Sequence, residues 1–149
     1  MAVTTWLIVE SLANWKVDAQ NCFSFFGMTR RFENLSDRIK EGDRLISYIT
    51  GKSAFADIRE VTRSGLRKVR GGGAYEIALP FCLDTKPILT LAEDRWIPIS
   101  LVRDRLGLTS GKPHWSFLFR TAIRKLDPAD AALLSREIEA RQQPFPSAD

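Results

Sequence analysis

The sequence predicts an α+β domain in which short, twisted strands curl into a closed or partly closed barrel with small helices packed around it. Three observations carry this. Apolar stretches rich in β-branched and aromatic residues recur at short intervals, as in Thr4–Val9, Arg44–Thr50 and Phe55–Thr62. The helical patterns between them are brief. No strand-helix-strand unit repeats, so a parallel sheet is not indicated, and neither an internal repeat nor a linker divides the chain. With 149 residues, 44% of them hydrophobic, the chain is long enough to bury one sizeable core. Residues 1–141 therefore read as a single domain, and residues 142–149, with two prolines, as a disordered tail.

Thr4 to Val9 reads as a buried first strand. Asn14 is placed to cap a short helix from Trp15 to Cys22, and a second short helix is expected from Asn34 to Ile39, with Leu35 and Ile39 on its inner side. Lys40-Glu41-Gly42-Asp43 ends it: Gly42 suits a positive φ, and Asp43 can accept from nearby amides. Arg44–Thr50 and Phe55–Thr62 form a hairpin across Gly51-Lys52-Ser53. Arg63 to Gly73 reads as an exposed, mobile loop, and Tyr75–Leu79 as a strand that Pro80 ends. Thr85–Leu91 is a further strand, and Ser100 caps a helix that runs to Leu106. Trp115–Arg120 reads as a strong strand, continued near Ala122–Leu126. Asp127-Pro128-Ala129-Asp130 then starts a helix whose inner stripe is Ala131, Leu134 and Ile138.

The chemistry of catalysis is thinly represented. The one histidine, His114, sits in a Lys-Pro-His-Trp turn, and Cys22 and Cys82 lack metal-like spacing and read as reduced thiols. There is no Gly-x-Ser-x-Gly or P-loop, and Gly71-Gly72-Gly73 precedes a strand rather than a phosphate-cradling helix. Neither catalytic residues nor a metal or cofactor are expected, and the chain does not read as an enzyme. The N-terminus lacks the basic and apolar regions of a secretion signal and no stretch is long enough to span a bilayer, so a cytoplasmic protein without a membrane partner is expected.

A net charge of +4 tilts the chain toward polyanions. Its basic residues fall into three groups: Arg30/Arg31; Arg59, Arg63, Arg67, Lys68 and Arg70; and Arg120, Arg124 and Lys125 with Lys112 and Arg105 nearby. Trp6, Trp15, Phe23, Phe25, Phe26 and Tyr48 are interleaved with Ser11, Asn14, Asn21, Ser24 and Ser47. Flat apolar walls beside small polar groups are what a nucleobase pocket needs, stacking being worth about 1–3 kcal/mol per base.

The order Ser11-x-x-Asn14-Trp15, Phe25-Phe26-Gly27, Gly42-Asp43 and Leu45–Ile49, ending in Trp115–Arg120 and the Asp127 helix, resembles the EVE-domain family. These are PUA-like domains related to the YTH readers of methylated adenine in RNA, and the ending resembles that of small bacterial stand-alone EVE proteins. The resemblance implies a PUA-like twisted β-barrel with short helices around it. It also implies a non-catalytic domain that accepts a flipped, modified base from DNA or RNA. Ser11 and Asn14 would face the base, and Phe26-Gly27 stand where these folds place Trp and a small residue as one pocket wall. Trp15 or Tyr48 would help Phe26 stack, while Arg30, Arg31, Arg63, Arg67 and Lys68 would hold phosphates. Two positions depart from the pattern: Phe replaces Trp at 26, and residues 64–73 contain no aromatic. The alternative is a sensor that takes a free nucleobase or nucleoside into the same recess.

Overall fold

The computed structural model describes residues 3–69, 74–75 and 78–142. Its centre is a parallel pair, β1 (Thr5–Ser11) and β3 (Arg44–Thr50). Helix α1 (Leu12–Gln20), strand β2 (Phe25–Met28) and a 3-10 helix at Arg30–Leu35 lie between them in sequence. From β3 the chain turns into antiparallel β4 (Ala54–Val61), which pairs with β6 (Phe81–Thr90), which in turn pairs with β2. Two-residue strands β5 (Arg67–Lys68) and β7 (Ile97–Pro98) flank β6 and β4, and β8 (Ile123–Lys125) runs antiparallel to β1. The order across the sheet is β2-β6-β4-β3-β1-β8. Its two ends curl toward each other, because Phe26 and Met28 of β2 and Ala122 before β8 line one recess.

Curling gives the sheet two apolar sides. Trp6, Ile8, Phe26, Met28, Leu45, Val61 and Leu83 form one cluster. The other holds Leu7, Ile46, Tyr48, Phe55 and Phe119, with α2 (Ile99–Val102) and the inner stripe of α3 (Pro128–Arg141), Ala131, Leu134 and Ile138. A strand buried on both faces needs apolar residues at consecutive positions, which accounts for the run Trp6–Val9. This is the α+β barrel with small helices that the strand spacing predicts.

Several elements differ from expectation. Trp115–Arg120 is a 3-10 helix, not a strand. Three residues per turn put Trp115 and Leu118 on one side, against the core, while Phe119 stacks on Tyr48 with ring centroids 4.1 Å apart. Tertiary packing overrides the β propensity of that aromatic run. α1 starts at Leu12 with Ser11 as its cap, and the next helix is the 3-10 segment at Arg30–Leu35 instead of Asn34–Ile39. Ser100 lies inside α2, which is capped by Pro98. β6 begins at Phe81, and Tyr75 and residues 78–80 are not in a strand; the rest of that expected strand, Glu76 and Ile77, lies outside the described residues. So do Arg70 to Gly73 of the expected loop and all but Gln142 of the expected tail, while Arg67-Lys68 of that loop is β5.

The turn at Gly42 (φ 91°) behaves as its sequence suggests. Asp43 is buried there and accepts from the amides of Thr4 (3.2 Å) and Lys40 (2.9 Å) and from the Trp6 indole (3.1 Å). One carboxylate thereby ties the entries of β1 and β3 together. Replacing Asp43 by Ala would leave three donors without this acceptor, and we expect a loss of about 2–4 kcal/mol in urea unfolding, with Asn, which keeps one acceptor oxygen, in between.

Candidate functional site

β4 carries an unusual pair for a buried strand, Asp57 and Arg59, two positions apart and therefore on one face. Arg59 is fully buried. Its Nε donates to Asp57 Oδ1 (2.9 Å), Nη1 to Asp18 Oδ2 of α1 (2.9 Å) and Nη2 to Glu10 Oε2 of β1 (3.0 Å). The guanidinium also lies 4.8 Å from the centroid of the Phe23 ring, and the Trp15 indole donates to Asp57 at 2.8 Å. Finally, the Tyr75 phenol donates to Asp18 Oδ1 and accepts from the Gly27 amide at 3.1 Å. β1, α1, β2, β4 and Tyr75 thus meet at one charge.

Three carboxylates share one guanidinium, so charge balance favours retaining a proton. Burial above all, opposed by Arg59 and reinforced by Asp18 and Asp57, pushes the Glu10 carboxyl well above its usual range. Burial also works against the Arg59 charge, but Asp57, Glu10 and Asp18 outweigh it and hold the guanidinium protonated. Burial and the nearby Asp18 push the Tyr75 phenol up, so it stays a donor.

Two recesses open beside this cluster, and Tyr75 lines both. The smaller, about 90 Å³, is bounded by Glu10, Asn14, Phe26, Gly27, Tyr75 and Leu79, among others. The larger, about 190 Å³, is lined by Phe25, Gly27, Arg67, Tyr75, Leu79 and Cys82, with Val69 and Ala74. Gly27 is required by the approach of Tyr75, since a Cβ there would come within 2.5 Å of its ring.

Of the residues singled out from sequence, Asn14, Phe26 and Gly27 meet at the smaller recess. Ser11 is exposed and caps α1, its Oγ accepting from the Asn14 amide at 3.1 Å, so it orders the turn that presents Asn14. Trp15 and Tyr48 do not join them. Trp15 packs on Phe23 and Trp96, and Tyr48 is buried between Phe55 and Phe119. Phe26 lines the recess but is itself buried in the barrel core.

The cations disperse. Arg30 and Arg31 are exposed just after Thr29 at the rim of the smaller recess, Arg67 borders the larger one while pairing with Asp84 at 2.9 Å, and Arg63 and Lys68 are exposed. Arg59, grouped by sequence with the solvent-facing cations, is the buried hub instead. Glu10, Asp18 and Tyr75 were not singled out by sequence. The legible signal was Asp57-x-Arg59, same-face charges in β4, whose other residues are apolar except Glu60.

No protein-family model matches the chain. It is 33% identical over 144 residues to a UPF0310 protein of Pyrococcus abyssi, a match that covers 87% of this chain and 95% of that protein. Among solved structures it resembles the YTH domain of Zygosaccharomyces rouxii MRB1 protein in complex with N6-methyladenosine RNA (TM-score 0.65, 12% identity, 97% of this chain and 92% of that one). It also resembles human THYN1 protein in complex with 5-methylcytosine-containing DNA (TM-score 0.57, 12% identity, 95% and 99%). The fold is the PUA-like α+β fold of the EVE and YTH group.

Stripping Arg59 of its charge in Arg59→Met leaves the carboxylates uncompensated and is expected to cost about 3–5 kcal/mol in urea unfolding. Arg67→Met, which breaks an exposed pair, should cost about 1 kcal/mol or less. Because the native Glu10 keeps a proton that the unfolded chain releases above 4.5, its contribution to stability is lost as pH rises from 4.5 through the raised native value. Glu10→Gln, which cannot ionise, should therefore gain on the parent across that window and show no gain below it. A stability difference independent of pH would show that Glu10 titrates normally.

Proposed function

The chain belongs to the UPF0310 family, and we propose that it is a non-catalytic nucleic-acid-binding domain that takes one extruded, modified base into the recess beside Gly27. The observation that carries this reading is the meeting of an amide side chain (Asn14), an aromatic ring (Phe26) and a small residue (Gly27) where β1, α1 and β2 converge. Asn14 is half-buried, and its carboxamide makes no hydrogen bond among the described residues, so it is free to read a base edge. The same fold carries methylated RNA in the MRB1 complex and methylated DNA in the THYN1 complex, which supports a methylated or otherwise modified base as ligand.

A binding role also accords with how the acids are used. Asp18 and Asp57 are engaged by Arg59, Trp15 and Tyr75, and His114 lies beside Phe117 and lines neither recess. Arg30 and Arg31, exposed and next in the chain to Thr29 of the recess wall, supply sequence-independent attraction for the flanking phosphates.

Fluorescence polarisation with matched DNA and RNA probes, unmodified or carrying one methylated cytosine or adenine, tests this. We expect one modified probe to bind best and Asn14→Ala to weaken it roughly tenfold, the loss of one edge hydrogen bond, without changing the unfolding midpoint. Arg30→Gln with Arg31→Gln should weaken all probes alike and flatten the salt dependence by about 0.7 per lost phosphate contact on single strands. Salt-independent binding of free nucleosides as tight as that of the oligonucleotides would mark a small-ligand sensor instead.

A further inference from the structure

Tyr75 borders both recesses, as do Gly27 and Leu79. Its ring crowds the Gly27 backbone, and its hydroxyl bridges the Asp18 carboxylate and the Gly27 amide. An acceptor and a donor side by side are the groups that read the polar edge of a base. A third polar group shares the smaller recess. The Glu10 side chain is 3% exposed, and its Oε1 is buried with no hydrogen-bond partner among the described residues. A buried polar atom left unpaired is costly, so the phenol completes two of three polar groups and leaves the third unsatisfied. A base edge carries two or three polar groups in a row and can engage all of them.

Each recess alone is smaller than the roughly 300–1,000 Å³ usual for ligand sites, and the Tyr75 side chain belongs to the wall of both. Tyr75 itself lies outside regular secondary structure and takes part in no strand pairing among the described residues.

Building on the base-binding reading, we propose that Tyr75 is a displaceable stopper whose phenol occupies the ligand's polar contacts, and that the base replacing it presents an N–H donor to Asp18 beside an acceptor for the Gly27 amide. The stopper makes binding pay for an opening step, so the apparent affinity is the intrinsic one reduced by the open fraction. Removing the hydroxyl strips the closed state of its bonds to Asp18 and Gly27 while keeping the ring.

The test uses short single-stranded probes of abasic residues with one central base, compared with an all-abasic probe to isolate base-dependent binding. For the base that binds best, Tyr75→Phe should tighten binding roughly tenfold, the scale of one hydrogen bond to a charged group. Dimethylating that base's exocyclic amine, or N-methylating its ring N–H, should abolish the base-dependent part by removing the donor for Asp18. Fluorotyrosine in the otherwise unaltered chain gives a readout that does not depend on the variant folding: the Tyr75 resonance should move to its solvent-exposed position as the probe saturates. Unchanged or weaker binding by Tyr75→Phe, or a resonance that stays in place, overturns the stopper while base-dependent binding by the parent leaves the site itself standing. Full binding of the donor-blocked base overturns the assigned edge. No base-dependent binding by either protein overturns the stopper together with the base site.

Discussion

A guanidinium with no access to water organises this molecule. Moving such a charge into a low-dielectric interior costs on the order of 20 kcal/mol in the idealised limit, and only close, well-aligned partners offset that. Arg59 has them from Asp57 on its own strand, Glu10 on β1 and Asp18 on α1. Each partner comes from a different stretch of chain, so the ion cluster forms only when α1 is docked and β1 and β4 lie in register. Apolar burial supplies the driving force for the barrel. The cluster makes one arrangement of it distinct from other equally apolar ones.

The local geometry around the recess follows from serving that charge. α1 is short, capped at Ser11, and ends in a turn where Cys22 (φ 57°) and Phe23 (φ 53°) both adopt left-handed conformations. Such backbone costs roughly 1–2 kcal/mol per non-glycine residue. The Phe23 ring against the Arg59 guanidinium and Trp15, and the Phe23 amide bonded to Asp18 O at 2.8 Å, offset it. The reversal returns the chain into β2, which sets Gly27 under Tyr75. On β6, Pro87 sits where the pairing with β4 slips by a residue beside Arg59, so its missing N–H falls at an irregularity instead of in a regular ladder. Asp84, three residues earlier, holds Arg67 at the edge of the larger recess.

Much of the architecture was legible in the chain. The apolar run of β1 announced a buried strand, Gly42-Asp43 announced its turn, and Asp127-Pro128 announced α3. The aromatic 3-10 helix at Trp115–Arg120 was not legible, because a short aromatic run suits a strand and a tight helix equally until its neighbours are known. Of the recess, the resemblance singled out Asn14, Phe26 and Gly27. It could not separate them from Trp15 and Tyr48, which have the same character but whose rings are used inside the core.

Sequence alone determined what depends on near neighbours: strand periodicity, the positive-φ turn, the start of α3 and an overall positive charge. Tertiary structure alone decided which charges are solvated and which are buried. Arg59 and Arg63 are four residues apart and alike in composition, yet one anchors the core and the other is exposed. The difference comes from carboxylates 41 and 49 residues away. Apart from Asp57, two residues away, the partners of this buried charge are assembled only by folding, and local pattern carries no record of them.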